Sequence, residues 1–183
     1  MRRKVALNYL DQPIYSRVDV AAAAQTNIQF FSTGMGDLQY TNLSKANELP
    51  LSQNFICTTL RLYVHSRYTD GTTPTPFNDI AGFQLGHVEM VADGAASQFN
   101  TLGFDAPGGG GIGGLVAEGA AATQLALANG STSRSQVRTF TVRVPIPKGR
   151  TFAVNVKFNS AWTPAGIIPI VAVLDGYLTR RAL

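Results

Sequence analysis

The feature that most limits this chain is strict alternation between apolar and polar residues. In Phe140-Thr141-Val142-Arg143-Val144 every second side chain is apolar, and Phe152-Ala153-Val154-Asn155-Val156-Lys157-Phe158 repeats the pattern. A period of two fits a half-buried β-strand and no helix. Between these runs lies Pro145-Ile146-Pro147-Lys148-Gly149, which has the residues of a turn. Residues 136–159 therefore read as a β-hairpin, with Phe140, Val142, Val144, Phe152, Val154, Val156 and Phe158 facing one core.

Other segments extend the pattern. Residues 54–67 alternate, with Ile56, Leu60, Leu62 and Val64 on one face and Cys57, Thr59, Arg61, Tyr63 and His65 on the other. Residues 28–33 and 82–92 are shorter strand candidates. Ile167–Leu174 is apolar throughout and reads as a strand buried on both faces, with Pro169 near its start. Leu115–Ala128, rich in Ala and Leu, is the one helix candidate. It follows a glycine-rich run, and half of the 18 glycines fall in residues 101–135. Strands joined by turn-rich loops, with little helical periodicity, indicate an all-β sandwich or barrel of about eight strands.

With 183 residues the chain suits one domain. The expected layout is an extended N-terminal arm over 1–20 and one domain over 21–183, with a Gly/Ala-rich insertion at 101–135. Val5, Leu7, Tyr9, Leu10, Ile14 and Tyr15 make that arm apolar, which suits packing on a neighbour. Only 14% of residues are charged, against about 25% in an ordinary soluble domain. A surface so poor in charge suits a protein covered by other subunits.

Net charge is +4, unevenly placed. Residues 68–133 hold six acids and no Lys or Arg, whereas residues 134–183 hold eight basic side chains and one acid. The chain is thus expected to have an acidic end and a basic end. The expected orientation sends the 101–135 loop outward and the basic termini toward a genome, a membrane or a seam between subunits.

Motifs for catalysis are weak. Gly109, Gly111 and Gly114 match a dinucleotide-binding spacing, but Pro107 stands where the strand should end and residues 119–174 lack any acid to hold a ribose. His65 and His87 lie 22 residues apart without a metal-ligand pattern. Cys57, beside Phe55 and Ile56, suits a packed thiol, and a single cysteine excludes an internal disulfide. No apolar run reaches the ~20 residues of a membrane-spanning helix, and no apolar stretch follows the charged N-terminus as a signal peptide requires. The expectation is a protein with no enzymatic activity, cofactor, metal or small-molecule substrate.

Two blocks carry a family likeness. One is Thr41-Asn42-Leu43-Ser44 through Leu49-Pro50 to Phe55-Ile56. The other joins Val144-Pro145-Ile146-Pro147 and Phe152-Ala153-Val154 to Val171-Ala172-Val173-Leu174-Asp175-Gly176-Tyr177-Leu178-Thr179-Arg180. Together they resemble the jelly-roll capsid proteins of tailless icosahedral bacteriophages, over about half the chain. Many of those are double jelly rolls. Two barrels need roughly 16 strands of 5–6 residues plus loops, so a single jelly roll is expected here. The resemblance implies a self-assembling coat protein of an icosahedral virion, made in the host cytoplasm. Its partners would be further copies and other capsid proteins, with a genome or internal membrane reached through basic termini. Arg2, Arg3, Lys4, Tyr9, Tyr15, Arg180 and Arg181 are the expected contact residues. The competing expectation is a spike, decoration or receptor- or carbohydrate-binding β-sandwich.

Overall fold

The computed structural model describes residues 7–34, 37–64, 82–83, 85–92, 99–102, 113–116, 125–128 and 139–181. Among them are eleven strands: β1 (Leu7–Asp11), β2 (Ile14–Val20), β3 (Gln25–Phe30), β4 (Gln53–Val64), β5 (His87–Ala92), β6 (Phe99–Leu102), β7 (Gly113–Val116), β8 (Leu125–Ala128), β9 (Thr139–Ile146), β10 (Phe152–Trp162) and β11 (Ile168–Arg181). The fold is all-β. One sheet runs β1-β11-β4-β9, with β2 also on β11, and a second runs β3-β10-β5-β6. Every pairing within them is antiparallel. β7 and β8 pair only with each other.

Alternation explains how the second sheet is built. Along β10, Phe152, Val154 and Val156 are buried while Ala153 and Asn155 are half-exposed. Val154 lies between Phe30 of β3 and Met90 of β5, and Val156 lies between Ile28 and Val88. The first sheet supplies Ile14, Val20, Phe55, Leu60, Leu62, Val144, Ile146, Ile170, Ala172 and Leu174 to the same core. Each such side chain contributes roughly 1.5–3 kcal/mol by leaving water. The sheets therefore share one hydrophobic interior.

Several sequence expectations change. The segment 136–159 is not a hairpin, because β9 pairs with β4 while β10 sits in the other sheet. Both strands alternate, but they lie in different sheets instead of side by side. Gly149, at φ 65°, turns the chain between sheets, and its N–H donates to the Leu49 carbonyl. Val142 is 78% exposed, outside the core, whereas Val144 and Ile146 are buried. Phe140 and Phe158 are partly buried and pack against the core.

The helix expected over Leu115–Ala128 is also absent where the chain is described. Gly113–Val116 and Leu125–Ala128 are strands, paired from Gly113↔Ala128 to Val116↔Leu125. Leu125-Ala126-Leu127-Ala128 alternates with period two, a signal masked by the helix propensity of Ala and Leu. In β4 the face assignment reverses partway: Phe55 and Cys57 are core-facing, then Leu60 and Leu62, while Ile56 is only half-buried. A bulge at Thr58 adds one residue and shifts the parity. Ile168, Ile170, Ala172 and Leu174 are buried as expected, but Val171 and Val173 stay half-exposed and Ile167 is exposed.

Of the expected N-terminal arm, Leu7–Val20 are taken up by β1 and β2 along the edge of β11. Gly108–Gly111 of the glycine run, residues 1–6 and His65 lie outside the described residues.

Candidate functional site

The outer face of the first sheet is organised around a crease. The β4–β11 register slips between Asp175 and Gly176, and the β4–β9 register slips between Cys57 and Thr59. On the far side of β11, Gln12-Pro13 interrupts the edge strand, although β1 and β2 keep one common register from Leu7↔Arg181 to Val20↔Ile168. All four strands are thus irregular at one level. Gly176 is required there. A Cβ on it would overlap the Ile56 carbonyl oxygen of the neighbouring strand.

The Thr41-Asn42-Leu43 motif closes the edge of β2. Thr41 Oγ1 donates to the Tyr15 carbonyl at 3.0 Å. Asn42 Oδ1 accepts the Tyr15 N–H at 3.1 Å, and Asn42 Nδ2 donates to the Pro13 carbonyl at 2.8 Å. The Arg17 N–H adds a backbone bond of 2.7 Å to the Tyr40 carbonyl. Thr41 itself is fully buried. These side chains supply partners that a ladder would otherwise provide, so unpaired backbone groups are avoided.

Three polar clusters sit on this face. At the crease, Arg61 grips Asp175 through two bonds, Nη2 to Oδ1 at 2.6 Å and Nε to Oδ2. Beyond β2's end of the crease, Arg17 holds Asp19 at 2.8 and 3.1 Å, the Tyr40 hydroxyl donates to Asp19 at 3.0 Å, and the Arg17 guanidinium lies 5.0 Å from the Tyr40 ring centre. On the β1 side, Arg143 donates to the Tyr177 hydroxyl at 3.1 Å, and the Tyr177 ring is 5.8 Å from that of Tyr9. Tyr9, Asn54, Ile56, Pro145, Pro147 and Thr179 help line a shallow depression of about 350 Å³ beside this cluster. Such a surface of tyrosine, proline and arginine is suited to contact with another macromolecule.

The expected contact residues divide. Tyr9 is 64% exposed on this face. Tyr15 is half-buried, its hydroxyl donating to the Leu38 carbonyl at 2.5 Å. Arg180 is exposed near the end of β11, in register with Asn8 and Gln53. Arg181 closes the strand opposite Leu7. Arg2, Arg3 and Lys4 lie outside the described residues. Tyr9 and Arg180 alternate onto opposite sides of the sheet, so the structure does not gather these residues into one patch. Arg61, Arg143, Asp175 and Tyr177 were not among the expected contact residues. The parity of β11, counted outward from core-facing Leu174, could have placed Asp175 and Tyr177 on the outer face.

Cys57 is fully buried, and that burial pushes its thiol up to about 12. A proton held so firmly leaves no thiolate for chemistry near neutrality. Among the described residues, no group of three His, Cys, Asp and Glu could hold a metal ion. No protein-family model matches the chain, and no curated protein sequence matches it.

Proposed function

We propose that the two sheets form a single jelly roll and that the chain is a structural subunit of an icosahedral capsid. The observation that carries this reading is strand order. Counting β1 and β2 as one strand and setting β7 and β8 aside, the strands run 1-8-3-6 in one sheet and 2-7-4-5 in the other. The pairs 4·5, 3·6, 2·7 and 1·8 are nested like the rungs of one long hairpin rolled around a core. That nesting is the jelly-roll plan, shared by viral capsid and lectin domains. The β7–β8 pair is then an insertion between the fifth and sixth strands.

Fold alone does not choose a function. The low charge content and the tyrosine-, proline- and arginine-lined outer face favour association over catalysis. The likeness of Thr41-Asn42-Leu43 and Leu174-Asp175-Gly176 to phage capsid proteins favours a shell, and these residues form the edge cap and the crease. Further copies and other capsid proteins are the partners in this reading. The basic chain ends meet a genome or membrane, and the virion is the site of action. The purified protein should form closed particles of megadalton mass, seen by electron microscopy and light scattering. A monomer or small oligomer at all concentrations would reject the shell and favour a spike or sugar-binding module.

A further inference from the structure

We infer that the free edge of β1 pairs antiparallel with β1 of a second copy, about a two-fold axis through Tyr9. This rests on the reading of the chain as a self-associating subunit, and it names the surface that does the work.

The other described edges carry protection against strand pairing. β2 is capped by Thr41 and Asn42. β9 contains Pro145, which has no N–H to offer, and a flanking Arg143. β6, β7 and β8 have only four residues each. β3 shows solvent polar residues, Thr26, Asn27 and Gln29, and exposes no large apolar side chain. β1 also exposes the polar Asn8 and Asp11, but it has five residues, no proline, no Lys or Arg and no bulge, and it exposes Tyr9 and Leu10. Among the described residues, nothing pairs with its outer edge. An edge of this kind is a template for another strand.

The sequence sets the register. Pro13 stops the free ladder just beyond Asp11, and the described strand is Leu7–Asp11. Outer-facing side chains must meet outer-facing ones, so residues of like parity must oppose each other. The pairing centred on Tyr9 satisfies this and uses all five residues, with Leu7 opposite Asp11 of the second copy. Such a contact is isologous and closes on itself. It also sets the two Tyr9–Tyr177–Arg143 clusters side by side on one face.

Tyr9→Cys tests the register directly, because opposed residues in an antiparallel pair lie about 4.5–5.5 Å apart, within disulfide reach. Mild oxidation should give a disulfide-linked dimer of this variant and none of the wild type, whose only cysteine is buried. Tyr9→Lys and Tyr9→Glu should each weaken dimerisation at least tenfold, and an equimolar mixture should restore it. That restoration excludes misfolding as the cause. Megadalton particles without a cross-linked Tyr9→Cys dimer would overturn edge pairing and leave the shell reading standing. A cross-linked dimer with no larger particle would do the reverse.

Discussion

β1 and β2 lie in one unbroken register along the same neighbour, yet they end in opposite states. β2 buries Ile14, Ser16 and Val20 and has its outer edge closed by Thr41 and Asn42. The described β1 side chains are all exposed, and its outer edge is open. The difference arises outside the strands. Gln12-Pro13 breaks the edge at the level of the crease, and the segment after β3 returns to cover only the β2 side. Backbone pairing to β11 is therefore not enough to define a core strand. A cap and a buried face make β2 part of the interior, and their lack leaves β1 as surface.

The comparison can be broken most severely at the crease. Gly176→Val would drive a side chain into the Ile56 backbone, which cannot yield as a flexible side chain can. A loss above about 4 kcal/mol is expected, enough to exhaust the stability of a domain near the low end of the usual range. Soluble, cooperatively unfolding protein from this variant would show that the close approach is not needed.

The next effect separates the two strands by burial. Ile14→Ala should cost about 2–4 kcal/mol, since Ile14 is 3% exposed. Leu10→Ala, at 36% exposure in β1, should cost under about 1 kcal/mol. Urea unfolding of monomeric protein measures both, and equal losses would mean that β1 is as much a core strand as β2.

The cap gives a smaller contrast. Asn42→Ala removes partners from Tyr15 N–H and the Pro13 carbonyl and should cost roughly 1–3 kcal/mol. Asn8→Ala, in the uncapped strand, should stay within about 0.5 kcal/mol of wild type. Amide exchange at Tyr15 should speed up in the first variant only.

The last effect appears only in alkali and is absent at neutral pH. Burial raises the Cys57 thiol from 9.0 to about 12 in the folded protein. Above pH 9 the unfolded chain releases a proton that the folded chain keeps, so stability falls as pH rises from about 9 toward 12. The slope is at most about 1.4 kcal/mol per pH unit. Cys57→Ala should flatten the curve over that window. Parallel curves for the two proteins would mean that the thiol ionises as freely inside as outside.

Much of the fold was legible because alternation is a local signal. Val154 and Val156 were placed in the core from the sequence alone, and Leu60 and Leu62 were placed together on one face. Alternation does not say which sheet a strand joins, however, so β9 and β10 looked like a hairpin. Pro145 was the clue, since a proline inside a strand suits an edge. The bulge at Thr58 was invisible, because an extra residue changes the parity without changing the composition. Tyr9 was found as an exposed apolar residue. The grip of Arg61 on Asp175 joins positions 114 residues apart and depends on the register of β4 against β11.

The placement of β11 has a consequence for synthesis. It is the last of the described strands, and it holds the middle of the first sheet, with β1 and β2 on one side and β4 on the other. While a ribosome is still making residues before Ile168, β1, β2 and β4 have no strand to join them. The apolar row of Ile14, Leu60 and Leu62 must wait, uncovered, until the final strand emerges. At about 5–20 residues per second, that leaves seconds of exposure for each nascent chain. Chaperone demand should therefore track translation speed through the stretch of message between β4 and β11.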